Sequence, residues 1–329
     1  MRRLLPLLAA LLPLALLASA TPAAAKEAPA YVAIGDSLTF GVGASDPATG
    51  GYAAITYDAL RKSERYRDRG LDLINLGVPG ATSADLLLPG GQLERAVNEI
   101  IERQEDTSSS DDNVEIITVG IGGNDVLALA TPDSPCVADP LASECQILFE
   151  EMLAVLEENL TQVLRGLREA APKAKIVVLD LYSPLSGRGD AAELIADFAV
   201  RGINDLTQSV VSETEFGADL ASVYPLFRGR AAQLVADDQI HPNDEGHALM
   251  GEVVLATIEG REPVLPEDLI TPTTVEEISN LTLGQGGLQP LAQDDNDGSN
   301  LALLLAIAIP AALLGAAAVA GVYVAARGR

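Results

Sequence analysis

Short apolar or β-branched runs alternate along this chain with stretches in which apolar residues recur every three or four positions. The runs occupy residues 31–34, 71–76, 114–119, 175–181 and, more weakly, 218–223, and their length and composition predict strands. The longer stretches at residues 52–64, 93–105, 144–171, 191–215 and 245–259 carry the helical period and predict helices. Strand, helix, strand in succession predicts an α/β domain, because parallel neighbours need a crossover long enough to hold a helix. The expected architecture is a parallel sheet with helices on both faces, a three-layer α/β/α arrangement. In such sheets ligands sit beyond the carboxyl ends of the strands, so the loops that follow strands are where chemistry is to be sought.

The ends of the chain follow a different pattern. Met1-Arg2-Arg3 precedes an uncharged apolar stretch over residues 4–17, followed by Ala18-Ser19-Ala20 and Ala23-Ala24-Ala25. That order predicts a secretory signal over residues 1–25 that is removed from the mature protein. Residues 301–326 contain no charged side chain and are followed by Arg327-Gly328-Arg329. At 1.5 Å per residue this stretch exceeds a hydrocarbon core of about 30 Å, which predicts one transmembrane helix with a cytoplasmic tail at 327–329. Residues 260–300 carry prolines, many acids and Gly284-Gln285-Gly286-Gly287, the composition of a stalk. The expectation is a single-pass protein of the cell membrane, with one domain over residues 26–259 outside the cell. A second plan, a sorting signal cut by a transpeptidase, shares the stalk, span and terminal arginines, but no L-P-x-T-G precedes the span.

Charge and cysteine content narrow the function classes. The formal net charge is −26, and Arg2, Arg3, Arg327 and Arg329 oppose it, so the chain between them stands at −30. General electrostatic binding of nucleic acid or anionic lipid is excluded on that ground. Cys136 and Cys145 are the only cysteines; in an exported chain two such residues, here in a loop-like segment, are candidates for one local disulfide.

Four stretches carry candidate chemistry. Gly35-Asp36-Ser37-Leu38 follows the first run, where Ser37 fits both a helix cap and a nucleophile presented at the sheet edge. Asn75-Leu76-Gly77-Val78-Pro79-Gly80 follows the second, and Gly80 would let a backbone N–H approach a ligand closely. Gly120-Ile121-Gly122-Gly123-Asn124-Asp125 follows the third and ends in an amide and a carboxyl. Far downstream, Asp238-Gln239-Ile240-His241 precedes the last helix. The chain has two histidines, His241 and His247, and a serine hydroxyl needs a base to take its proton. Asp238 can accept the imidazole N–H and fix its tautomer, whereas His247, inside the closing helix, is expected to pack or to support the site from behind. A zinc reading of Asp238, His241 and His247 lacks the H-E-x-x-H spacing and any further His or Cys ligand.

Taken together and in this order, GDSL at residues 35–38, the glycine at Gly80, GGND at 122–125 and DQIH at 238–241 resemble the SGNH hydrolase superfamily, the GDSL esterases and lipases. The resemblance covers roughly residues 30–259. It implies a five-stranded parallel sheet of flavodoxin-like order 2-1-3-4-5, with Ser37 as nucleophile, His241 as base and Asp238 as its partner. It also implies an oxyanion hole made by the Ser37 and Gly80 backbone N–H groups and the Asn124 side chain. No cofactor or metal is implied. No G-x-S-x-G elbow surrounds any serine, which disfavours the α/β-hydrolase fold. The expected substrate is a carboxylic ester of lipid or glycan, with a thioester or lysophospholipid as alternatives and a non-catalytic binding module on the same fold as the competing class. Lys26, Lys62, Lys173 and Lys175 are the only lysines and none lies in the four motifs, which favours uncharged acyl esters over anionic head groups.

Overall fold

The computed structural model describes residues 28–105 and 113–266. The segments expected as signal, membrane helix and tail, and the stalk beyond residue 266, lie outside the described residues. Among the described residues no helix is long and apolar enough to cross a membrane.

Five strands, β1 (Ala30–Gly35), β2 (Asp72–Asn75), β3 (Val114–Gly120), β4 (Lys175–Leu179) and β5 (Ala218–Ala221), form one sheet in the order β2-β1-β3-β4-β5. Every pairing is parallel. All six residues of β1, an interior strand, are buried, as a parallel sheet covered on both faces requires. The two-residue period of a strand divides them between two cores. Ala30, Val32 and Ile34 join one cluster with Ile100, Leu160, Val163 and Leu164. Tyr31 and Ala33 join the other with Tyr52, Leu60, Met250 and Val254.

Eight helices matter for the site: α1 (Ser37–Phe40), α2 (Tyr52–Lys62), α3 (Ser83–Leu86), α4 (Gln92–Glu105), α5 (Gly123–Leu127), α6 (Ser143–Ala170), α7 (Ala191–Val211) and α8 (Asp244–Glu259). Helices α4, α6 and α7 feed the first core, and α2 and α8 the second. The three-layer arrangement and the 2-1-3-4-5 order agree with expectation. Helix starts follow local capping chemistry: Asp190 accepts from Glu193 N–H at the head of α7 and Asn243 from Gly246 N–H at the head of α8.

The fourth apolar run ends earlier than expected. Asp180 N–H still donates to Ala221 O at 3.2 Å, but at Leu181 the ladder stops, because Leu181 exchanges both backbone hydrogen bonds with the Asn204 amide. The Asp180 carboxyl takes Val223 and Tyr224 N–H. Helix α7 likewise stops at Val211 rather than 215, where the chain turns toward Gly217. The cysteines are not in a loop. Cys136 lies in a short helix (Pro135–Ala138) and Cys145 in the first turn of α6, joined as a disulfide with Cα atoms 4.8 Å apart.

Candidate active site

The carboxyl end of β1 is built to hold the next residue rigidly. Gly35 has φ +147°, and a Cβ there would stand 2.1 Å from the Gly120 carbonyl oxygen, so only glycine fits. The buried Gln92 amide grips the same residue from α4, accepting from Gly35 N–H at 2.7 Å and donating to Gly35 O at 2.8 Å. Asp36 then caps α1 by accepting from Leu38 N–H at 2.9 Å. Ser37 is therefore the first residue of a helix whose cap is supplied by its neighbour, and its own side chain is not spent on capping.

That side chain meets His241 instead. Ser37 Oγ lies 2.8 Å from His241 Nε2, and His241 Nδ1 lies 2.6 Å from Asp238 Oδ2. Asp238 Oδ1 accepts the backbone N–H groups of Ile240 and His241 at 3.0 and 2.9 Å, so one carboxyl shapes the turn and orients the ring it carries. The turn needs that support. Gln239 has φ +62°, the one non-glycine in the left-handed region among the described residues, a conformation that costs about 1–2 kcal/mol. Ala236 N–H donates to His241 O at 2.8 Å, and the Tyr182 hydroxyl donates to Ile240 O. Tyr182 is itself stacked on Phe227 with ring centroids 4.0 Å apart.

Two further loops reach the same place. Gly80 adopts φ +83° with open space on the side a Cβ would occupy. Asn124, in the first turn of α5, donates from Nδ2 to Ala81 O at 2.9 Å. An amide has two N–H donors, so one remains for a ligand. Ser37, His241, Asp238, Gly80 and Asn124 all line a single cavity of about 160 Å³, whose other walls include Leu38, Val126, Leu127, Leu181 and Val200.

Burial and hydrogen bonding pull the two carboxyl groups of this cavity in opposite directions. Burial raises Asp36 to about 7, against the lowering pull of the Leu38 N–H and His241. Burial also acts to raise Asp238, but the bonds from the His241 ring and from the His241 and Ile240 N–H groups prevail and hold it at about 2. Asp238 thus stays an acceptor for the imidazole N–H, the state that fixes a tautomer.

The structure places all five sequence-predicted site residues around one cavity. His247 lies elsewhere in the network: Nε2 donates to Val42 O at 2.9 Å and Nδ1 accepts from Tyr52 N–H at 3.3 Å. Burial lowers its pKa, and both nitrogens are spent on backbone, so it ties α8 to α2 and to the loop after α1. Sequence reading did not single out Gln92 or Tyr182, or the placement of Asp36 as a cavity wall. Gln92 left one faint trace, a polar residue at the start of an amphipathic helix, whereas the others gave none.

The chain matches the model of the GDSL-like lipase/acylhydrolase family over residues 33–249. Its relatives include the spore germination lipase LipC of Bacillus licheniformis, 26% identical, covering 70% of this chain and 97% of that protein. The uncharacterized protein YpmR of Bacillus subtilis is 23% identical, covering 71% of this chain and 83% of YpmR. Among solved structures, the lipase Lip_vut3 from a goat rumen metagenome shares the fold with a TM-score of 0.53 and 22% identity, covering 70% of this chain and 97% of that one. The chain belongs to the GDSL-like lipase/acylhydrolase family and is a carboxylic ester hydrolase of that family.

Proposed function

We propose that this protein is a membrane-anchored, extracellular serine esterase that cleaves uncharged acyl esters through Ser37, His241 and Asp238. The observation that carries the reading is the continuous chain from Ser37 Oγ to His241 at 2.8 Å and on to Asp238 at 2.6 Å. His241 Nε2 takes the Ser37 proton as Oγ attacks the ester carbonyl carbon, and the carbonyl electron pair moves onto oxygen. The oxyanion is held by Ser37 N–H, Gly80 N–H and the remaining Asn124 N–H. Collapse expels the alcohol, which leaves with the proton from His241, and water then frees the acyl group by the same route. Asp238 keeps the ring oriented with Nε2 toward Ser37 and stabilises it when charged.

The apolar walls suit an acyl chain, and a cavity of about 160 Å³ suits a short one. The lipase named among the relatives makes longer chains the alternative. A binding module without turnover is less well supported, because the groups that transfer protons are in hydrogen-bond contact. Anchoring rests on the sequence of residues 1–25 and 301–329, and the mass and membrane partition of the mature protein test it. Hydrolysis of p-nitrophenyl esters from acetate to palmitate tests the chemistry. Activity centred on short chains is expected, an optimum at palmitate would overturn the short-chain reading, and a folded protein inert on the whole series and toward covalent serine probes would overturn the esterase.

A further inference from the structure

We infer that Asp125, acting through Ser83 with Asn159 behind it, is a positioning residue that sets the separation of the two oxyanion donors contributed by different loops. The inference rests on the oxyanion role proposed above for Gly80 and Asn124. Asp125 directly follows Asn124 in α5, and Ser83 opens α3 three residues after Gly80. The Asp125 carboxyl accepts the Ser83 N–H at 3.0 Å through Oδ2 and the Ser83 hydroxyl at 2.5 Å through Oδ1. Asn159 Nδ2, from α6, donates to the same hydroxyl at 2.9 Å. The hydroxyl therefore accepts once and donates once, and its direction is fixed by both partners. Ser83 is fully buried and Asp125 nearly so, which makes each of these bonds costly to leave unmade.

Helix capping explains only part of this arrangement: Asp125 takes the first N–H of α3, but its bond to the Ser83 hydroxyl serves no backbone group. The residue before the helix has its own local partner, with Thr82 N–H and hydroxyl both donating to Asp85 at 2.8 Å. The Asp125–Ser83 link instead spans 42 positions of sequence. Beside it runs a second rung, Asn124 Nδ2 to Ala81 O. Two rungs from consecutive residues, 124 and 125, thus join α5 to the loop that carries Gly80, one on either side of residue 82. An oxyanion hole assembled from two loops works only if both donors stand at hydrogen-bond distance from one oxygen, and a displacement of about 1 Å can cost on the order of 10²-fold in rate. Asp125 touches no substrate in this scheme.

The test compares Asp125→Asn, Asn159→Asp and Asn124→Ala, singly and with each of the first two combined with the third, in the full chain on one p-nitrophenyl ester. Asp125→Asn keeps size but loses one acceptor. Asn159→Asp, on the partly exposed face of α6, keeps shape but turns the donor to Ser83 into an acceptor, and it carries the test if Asp125→Asn does not fold. We expect kcat to fall by about 10- to 100-fold in Asp125→Asn and by about 3- to 10-fold in Asn159→Asp, with KM within about threefold, as for a group that acts in the transition state. Combined with Asn124→Ala, each should lose less than the product of the separate losses, because residues acting through one device are not additive. Full kcat in folded Asp125→Asn and Asn159→Asp, or losses that simply multiply, would overturn the inference while leaving the oxyanion role of Asn124 standing. Unchanged kcat in Asn124→Ala would overturn that role and the inference with it.

Discussion

His241 Nε2 stands 2.8 Å from Ser37 Oγ although the two residues lie 204 positions apart, one just past the first strand and the other just before the last helix. The sheet makes the meeting possible, since in a parallel sheet every strand delivers its carboxyl end to the same edge. The ring is aimed by Asp238, three residues before it. Asp238→Asn keeps the shape of the turn but offers an amide N–H in place of one acceptor, which favours the wrong imidazole tautomer. We expect kcat to fall by about 10² to 10⁴ with little change in KM; steady-state kinetics at pH 8 checks this, and wild-type turnover would remove Asp238 from the mechanism.

Asn124 has one amide N–H spent on Ala81 and one left for a ligand. Asn124→Ala should lower kcat by about 10² to 10³, the usual effect of losing one oxyanion donor. Affinity for a tetrahedral boronate or phosphonate inhibitor should fall in parallel, whereas KM should hardly move.

The carboxyl groups of Asp36 and Asp238 give stability opposite pH dependences. Asp238, held at about 2 in the folded state against an ordinary 3.8, contributes stability that is present above pH 4 and lost as pH falls toward 2. For a side chain 29% exposed the contribution is about 1–2 kcal/mol. Asp36, raised to about 7, binds its proton more tightly when folded, so stability declines as pH rises from about 4 to 7 and is flat above. Asp36→Asn retains an oxygen to cap Leu38 and removes the titration. Urea unfolding at pH 5 and pH 8 should show a smaller difference for that variant than for the parent; an equal difference would mean that Asp36 is not the group responsible.

The Cys136–Cys145 bond closes a short loop at the head of α6. With a separation of 9 residues, the chain-entropy model gives a contribution of about 2–3 kcal/mol. Replacing both cysteines by serine should shift the urea midpoint accordingly and leave kcat within about twofold, because neither cysteine lines the cavity.

Much of this arrangement was legible in the sequence, for reasons that differ by residue. The run at 31–34 is apolar without alternation because both faces of β1 are covered, and the succession of strands and helices along the chain announced a parallel sheet. Ser37 and His241 were legible through scarcity and placement: one of two histidines, beside an aspartate, and a serine just past a strand. The strand ends were less legible. Leu181 is as apolar as Leu179, and what ends β4 there is the Asn204 amide, 23 positions away, a partner no local pattern foretells. The extension expected for α7 failed likewise, since 212–215 continue a helical composition that the turn before Gly217 overrides. Gln92 left only a faint trace, and Ser83 and Asn159 none, because each acts through a bond to a group far away along the chain, and polar residues on helices are ordinarily solvent-facing.

The most direct test of the account is the rate of p-nitrophenyl acetate hydrolysis by the protein and by its Ser37→Ala variant, with folding of both confirmed by circular dichroism. Ser37 is buried against His241, so alanine is tolerated by the fold, and we predict a loss of kcat on the order of 10⁴ to 10⁶. A folded Ser37→Ala variant that turns over at the parent rate would contradict Ser37 as the nucleophile and the mechanism built on it.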